Sequence, residues 1–86
     1  MILTPGKLYV TKDNMVGLPQ EIVFKKTGES INVPVNTNLI FIEDRDCHYD
    51  DIENGSRCLS FLSKNYVINF IYQDDYTSIT DMLQEV

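Results

Sequence analysis

The 86-residue chain carries thirteen acids against seven bases, a formal charge of −6, and 43% of its residues are hydrophobic. That length holds one domain with one core, burying about 60 to 65% of the unfolded surface, and the composition is not that of a disordered chain. The negative balance argues against a general attraction to nucleic-acid phosphates or to anionic membrane, and makes a basic partner easier to accommodate.

Pro5-Gly6 is turn chemistry, so the first strand is expected from Lys7 to Lys12, with Leu8 and Val10 on one face and Lys7, Tyr9 and Thr11 on the other. Asp13-Asn14 ends it. Met15 to Pro19 reads as an apolar, irregular loop because Gly17 and Pro19 interrupt pairing. Its Met15, Val16 and Leu18 either close one end of the core or stand exposed as a contact patch for a structural or self-assembling subunit.

Glu21 to Lys26 alternates as a second strand, and Thr27-Gly28-Glu29-Ser30 follows as a turn. Ile31, Val33 and Val35 alternate with Asn32 and Pro34, and Pro34 confines this run to an edge or an extended approach. Leu39-Ile40-Phe41-Ile42 is apolar at every position, which predicts a strand buried on both faces.

Between Glu43 and Glu53 six acids face one base, Arg45, so this segment carries −5 of the total charge. Ending in Asn54-Gly55, it reads as a long, exposed hairpin connection. The stretch Arg57 to Tyr72, RCLSFLSKNYVINFIY, has the form of two antiparallel strands around the turn Ser63-Lys64-Asn65. The face made by Tyr66, Ile68, Phe70 and Tyr72 offers the most buriable area and is assigned to the core, opposite Val67, Asn69 and Ile71.

After Gln73-Asp74-Asp75 the period changes. Ile79, Met82, Leu83 and Val86 fall on one helical stripe, predicting a short C-terminal helix from about Ser78, with Ser78 as its cap. The expected fold is mainly β, a strongly bent five-stranded antiparallel sheet with a short C-terminal α-helix, in a single domain spanning residues 1–86.

Catalytic motifs are missing. Cys47 and His48 are adjacent, and neighbouring residues in extended chain point to opposite sides, so they do not form a nucleophile and base. No P-loop, dinucleotide fingerprint or nucleophile elbow occurs. Asp44, Asp46, His48 and Asp50 alternate, yet a calcium loop begun at Asp44 would need Gly at Tyr49 and Glu at Gly55. No metal site, cofactor or catalytic residue is assigned. Cys47 and Cys58 are read as reduced thiols, and the lack of a spanning run or signal-peptide core predicts a cytoplasmic protein outside the membrane.

PGKLYV near the start, VPVNTNLIFIE, the acidic connection and the central hairpin with its tail together resemble the small SH3-like barrels found among short phage-encoded proteins. The resemblance covers roughly residues 5 to 72. It implies a small barrel that acts without catalysis by docking on a host protein in the host cytoplasm, and it brings no site motif. The expected function is therefore a non-enzymatic protein-binding module, of the kind that inhibits a host protein. Glu43, Asp44, Asp46, Asp50, Asp51, Glu53, Asp74 and Asp75 would mimic nucleic-acid phosphates toward a basic patch on a partner protein. The alternatives are a nucleic-acid-associated domain using Lys7, Lys25, Lys26 and Arg57, and a structural subunit that forms homo-oligomers.

Overall fold

The computed structural model describes residues 1–19, 30–46, 55–64 and 66–86. Seven strands and one helical turn follow in the order β1 (Leu8–Thr11), β2 (Met15–Pro19), β3 (Ile31–Val33), β4 (Asn38–Asp46), β5 (Arg57–Ser63), β6 (Tyr66–Tyr72), α1 (Thr77–Thr80) and β7 (Leu83–Glu85). They form one strongly curled antiparallel sheet, a half-barrel, in the order β3-β2-β6-β5-β4-β1-β7. The expected mainly β fold with a short helix is what forms, although with seven described strands where five were expected. The strand expected at Glu21 to Lys26 and most of its following turn lie outside the described residues.

The β5–β6 hairpin is the centre of the sheet, in register from Arg57↔Tyr72 to Ser63↔Tyr66. Leu59 and Phe61 on β5 and Ile68 and Phe70 on β6 share the concave face and are all buried. Phe61 packs at ring-centroid distances of 5.3 Å from Phe41 and 5.6 Å from Phe70, tilted or edge-on as aromatic quadrupoles prefer. Tyr66 and Tyr72 belong to this face by parity, but they end the strand: Tyr66 is exposed and Tyr72 half-buried.

Asn69, expected on the outer face, is fully buried, and so are Cys58 and Ser60 on the same side of β5. The middle of the hairpin is therefore enclosed on both faces. β4 differs from expectation in the other direction. Leu39 and Phe41 are buried while Ile40 and Ile42 are each 38% exposed, so this strand buries one face only.

Met15 to Pro19 is a strand, not an irregular loop. Residues 15 to 17 pair with β3 and Leu18 and Pro19 pair with β6, so β2 changes partner at Gly17. Proline is tolerated because it is the last residue of the strand. Met15 is buried and Leu18 half-buried, as the core-closing alternative has it, while Val16 alone of the three is exposed. Among the described strands β3 is at the sheet edge, and Pro34 follows directly after it.

The C-terminal helix is one turn long. Ser78 does not cap it; Tyr76 occupies the cap position, and Asp75 Oδ1 accepts the Thr77 N–H at 2.9 Å. Of the expected stripe Ile79 and Leu83 are buried, whereas Met82 and Val86 are exposed, because Leu83 belongs to β7, which pairs with β1, and the helical period stops before it. A four-residue helix gains little from propagation, whereas β1 offers an open ladder. Lys12 N–H donates to Met82 O at 2.7 Å, and Lys7 Nζ meets Glu85 Oε1 at 3.1 Å across the same pair.

Candidate functional site

β4, β5 and β6 finish together at one end of the sheet, where the register aligns Asp46, Arg57 and Tyr72 side by side. This end carries the first of the expected partner-binding acids, but not on a loop: Glu43, Asp44 and Asp46 are strand residues.

Their distribution depends on a β-bulge. Phe41 pairs with Phe61 but Glu43 pairs with Ser60, so Ile42 is an extra residue in β4. Before the bulge the odd-numbered residues face the core. After it the even-numbered ones do, which brings Asp44 and Asp46 to the side of Leu59 and Arg57 and sends Glu43 and Arg45 to the other. The acids at 43, 44 and 46 therefore do not form one surface.

Arg57 organises the concave side. Its Nε lies 3.1 Å from Asp44 Oδ1, its Nη1 donates to Asp46 Oδ1 at 2.7 Å, and its Nη2 reaches the Asp44 carbonyl at 3.4 Å. Tyr72 donates its hydroxyl to the same Asp44 carboxylate at 2.6 Å. Hydrogen bonding by Tyr72 and then Asp44, with the charge of Asp44 added, holds the Arg57 guanidinium above its ordinary pKa. Burial and the bond to Asp44 raise the Tyr72 phenol above its ordinary value, against the opposing influence of Arg57.

The ring of Tyr72 meets Tyr76 edge-on at 5.5 Å, fixing the chain that carries Asp74 and Asp75 close to this end. Gln73 Nε2 donates to Ser56 Oγ at 3.5 Å across the strand ends. Asp74 and Asp75 are exposed, and bonding from Thr77, backbone first, lowers the Asp75 pKa below the usual carboxylate value. Asp46 keeps 77% of its side chain accessible, against 36% for Asp44. Asp50, Asp51 and Glu53, with Cys47 and His48, lie outside the described residues; their segment joins this end of the sheet at Asp46 and returns at Gly55.

On the opposite side Arg45 is not the solvated base of an acidic loop. Its Nη2 donates to Asn69 Oδ1 at 3.0 Å, and its Nε lies 4.0 Å from Glu43 Oε1. Ser60 Oγ donates to the same Asn69 oxygen at 2.5 Å, and Asn69 Nδ2 donates to Leu18 O at 3.4 Å. The sequence reading missed Arg57, Tyr72 and Tyr76 as members of the acidic end. The hairpin register could have supplied the first two, since a turn at 63 to 66 necessarily sets 57 opposite 72.

Of the alternative basic set, Lys7 is paired with Glu85 and Arg57 with two aspartates, while Lys25 and Lys26 lie outside the described residues. Among the described residues no three His, Cys, Asp or Glu side chains are grouped to hold a metal ion, and no helix is long and apolar enough to cross a membrane. Cys58 is a buried thiol, its Sγ 4.0 Å from the Asp46 carbonyl. No family model matches the chain, and neither a curated protein nor a solved structure matches it.

Proposed function

We propose that this chain is a non-catalytic, cytoplasmic protein-binding module whose acidic sheet end engages a basic patch on a partner protein. The observation that carries this reading is the gathering of Asp44 and Asp46 on Arg57 where three strands finish, with the exposed Asp74 and Asp75 following Tyr72 two and three residues on. One guanidinium does not balance four carboxylates, and Asp50, Asp51 and Glu53 are attached to the same end through Asp46 and Gly55. The roles divide. Asp44, bound by Arg57 and Tyr72, is the internal brace, and the exposed Asp46, Asp74 and their neighbours in sequence make the contact. Glu43, on the other face, is left out.

Carboxylates held at strand spacing stand in for phosphates toward a basic surface, and the negative field accelerates encounter. An inhibitor that occupies a nucleic-acid site on a host protein, as the resemblance to phage-encoded SH3-like barrels implies, would use the acidic end in this way. The test is affinity capture from a host lysate with the parent chain and with a variant carrying Asp46→Asn, Asp50→Asn, Asp51→Asn and Asp74→Asn, which spares the bracing Asp44. Association of the captured partner should slow by about ten-fold between low and moderate salt, and the variant should lose it. Undiminished capture by the variant removes the proposal.

A further inference from the structure

At the end of the sheet remote from Arg57, a cleft of about 360 Å³ opens between the turn leading into β4 and the tip of the β5–β6 hairpin. Asn36, Thr37 and Asn38 line one side and Ser63, Lys64 and Tyr66 the other. That volume lies in the range of small-ligand sites, which starts at about 300 Å³.

The wall is built before any ligand arrives. Thr11 Oγ1 donates to Pro34 O at 2.7 Å and accepts the Thr37 N–H at 2.9 Å, while Thr37 Oγ1 donates to Pro34 O at 2.6 Å. Asn36 N–H donates to Thr11 O at 2.9 Å, which holds Asn36 in the left-handed region at φ 68°. Across the cleft Lys64 is also left-handed, at φ 54°, and projects from the hairpin tip. The turn leading into β4 therefore presents its side chains from fixed backbone.

The lining chemistry is selective. Ser63 is only 3% exposed, and its hydroxyl has no hydrogen-bond partner among the described residues. Its oxygen is not among the atoms sealed from solvent without a partner, so it is open to a group that enters the cleft. The Asn36 and Asn38 amides add donors and acceptors without internal bonds among the described residues. Among the described residues Lys64 is the one charged group of the lining and no carboxylate is present, and Tyr66, 43% exposed, supplies an aromatic surface. Six residue steps along β5 separate this end from Arg57, about 20 Å at strand rise, which exceeds a Debye length of about 8 Å in physiological salt. The acidic end does not cancel the Lys64 charge.

We propose that this cleft binds a small organic anion with a planar body, its carboxylate or phosphate meeting Lys64 and the asparagine amides and its ring lying on Tyr66. Ser63 adds a hydroxyl to this hydrogen bonding. The cleft is separate from the proposed partner-binding end, so either can fail without the other.

Nuclear magnetic resonance titration of the full, isotope-labelled chain with benzoate, adenosine monophosphate and neutral adenosine tests it. Saturable amide shifts centred on residues 36–38 and 63–66 are expected with at least one anion, with adenosine weaker by about ten-fold or more. A response to benzoate alone identifies carboxylate as the head group, and a response to the nucleotide alone identifies phosphate. Lys64→Gln, at an exposed turn where folding is undisturbed, should weaken binding by about five-fold or more, and Ser63→Ala should weaken it independently. Absence of saturable shifts with both anions to about 10 mM, equal binding of adenosine and its monophosphate, or unchanged affinity in Lys64→Gln each overturns the proposal.

Discussion

Tyr72 and Asp44 stand on strands separated by β5, and the phenol of one donates to the carboxylate of the other at 2.6 Å. The contact spans the whole width of β5, and Arg57 at the start of that middle strand meets the same carboxylate at 3.1 Å. Three adjacent strands are thereby tied at their ends through a single acid. It exists because the extra residue Ile42 turns Asp44 to the side of the sheet that Tyr72 occupies.

Titration of Tyr72 follows from that contact. Its folded pKa is raised from the model-peptide value of 10.0, chiefly by burial and next by the bond to Asp44. The neutral phenol is favoured in the folded state, so above pH 10 the unfolded chain binds fewer protons and stability falls as pH rises. This contribution is fully present below pH 10 and is lost as pH passes through the folded pKa. Ultraviolet titration should show a tyrosinate transition displaced above pH 10. The late transition should disappear in Tyr72→Phe, and its persistence there would assign the shift to another ring.

Gly17 marks where β2 leaves β3 for β6. A Cβ at this position would overlap Ile68 Cγ2, approach Phe70 Cε1 to 3.0 Å and approach the Asn69 carbonyl to 3.3 Å. The side chains there are core and the carbonyl is backbone, so relief requires β2 to move away from β6. Gly17→Ala should destabilise the protein by about 1 to 3 kcal/mol, read as a lower urea midpoint. Val16→Ala, at an exposed neighbour, should stay within about 0.5 kcal/mol of the parent. Equal midpoints for the two variants would contradict the close approach.

The same position explains what the sequence could and could not disclose. Gly17 and Pro19 ordinarily punctuate loops, and nothing local distinguishes a glycine that ends pairing from one that lets another strand come close. The hairpin 57–72 was legible because its alternation and its polar turn agree. Leu39 to Ile42 conceals its bulge, since a run that is apolar at every position has no parity to break. That loss propagates to the acidic residues: the charge was readable, but which face each carboxylate takes depends on Ile42. The stripe of Ile79 and Leu83 identified two buried residues correctly, yet the burial is equally met by a turn and a strand once the edge of β1 is available.

Asn69 gives the sharpest stability test, because it is a fully buried polar residue in the middle of β6. Its Oδ1 accepts from both Ser60 and Arg45, and its Nδ2 donates to Leu18 O. Asn69→Ala takes the acceptor from a buried hydroxyl and opens a small void, and should cost about 2 to 3 kcal/mol. Ser60→Ala removes a donor from a well-supplied oxygen and should cost about 1 kcal/mol. In the double variant the orphaned hydroxyl is absent, so the combined loss should fall short of the sum by about 1 kcal/mol. Urea denaturation of the four proteins measures this coupling directly. Strict additivity would mean that the Ser60 hydroxyl finds another acceptor when Asn69 is gone.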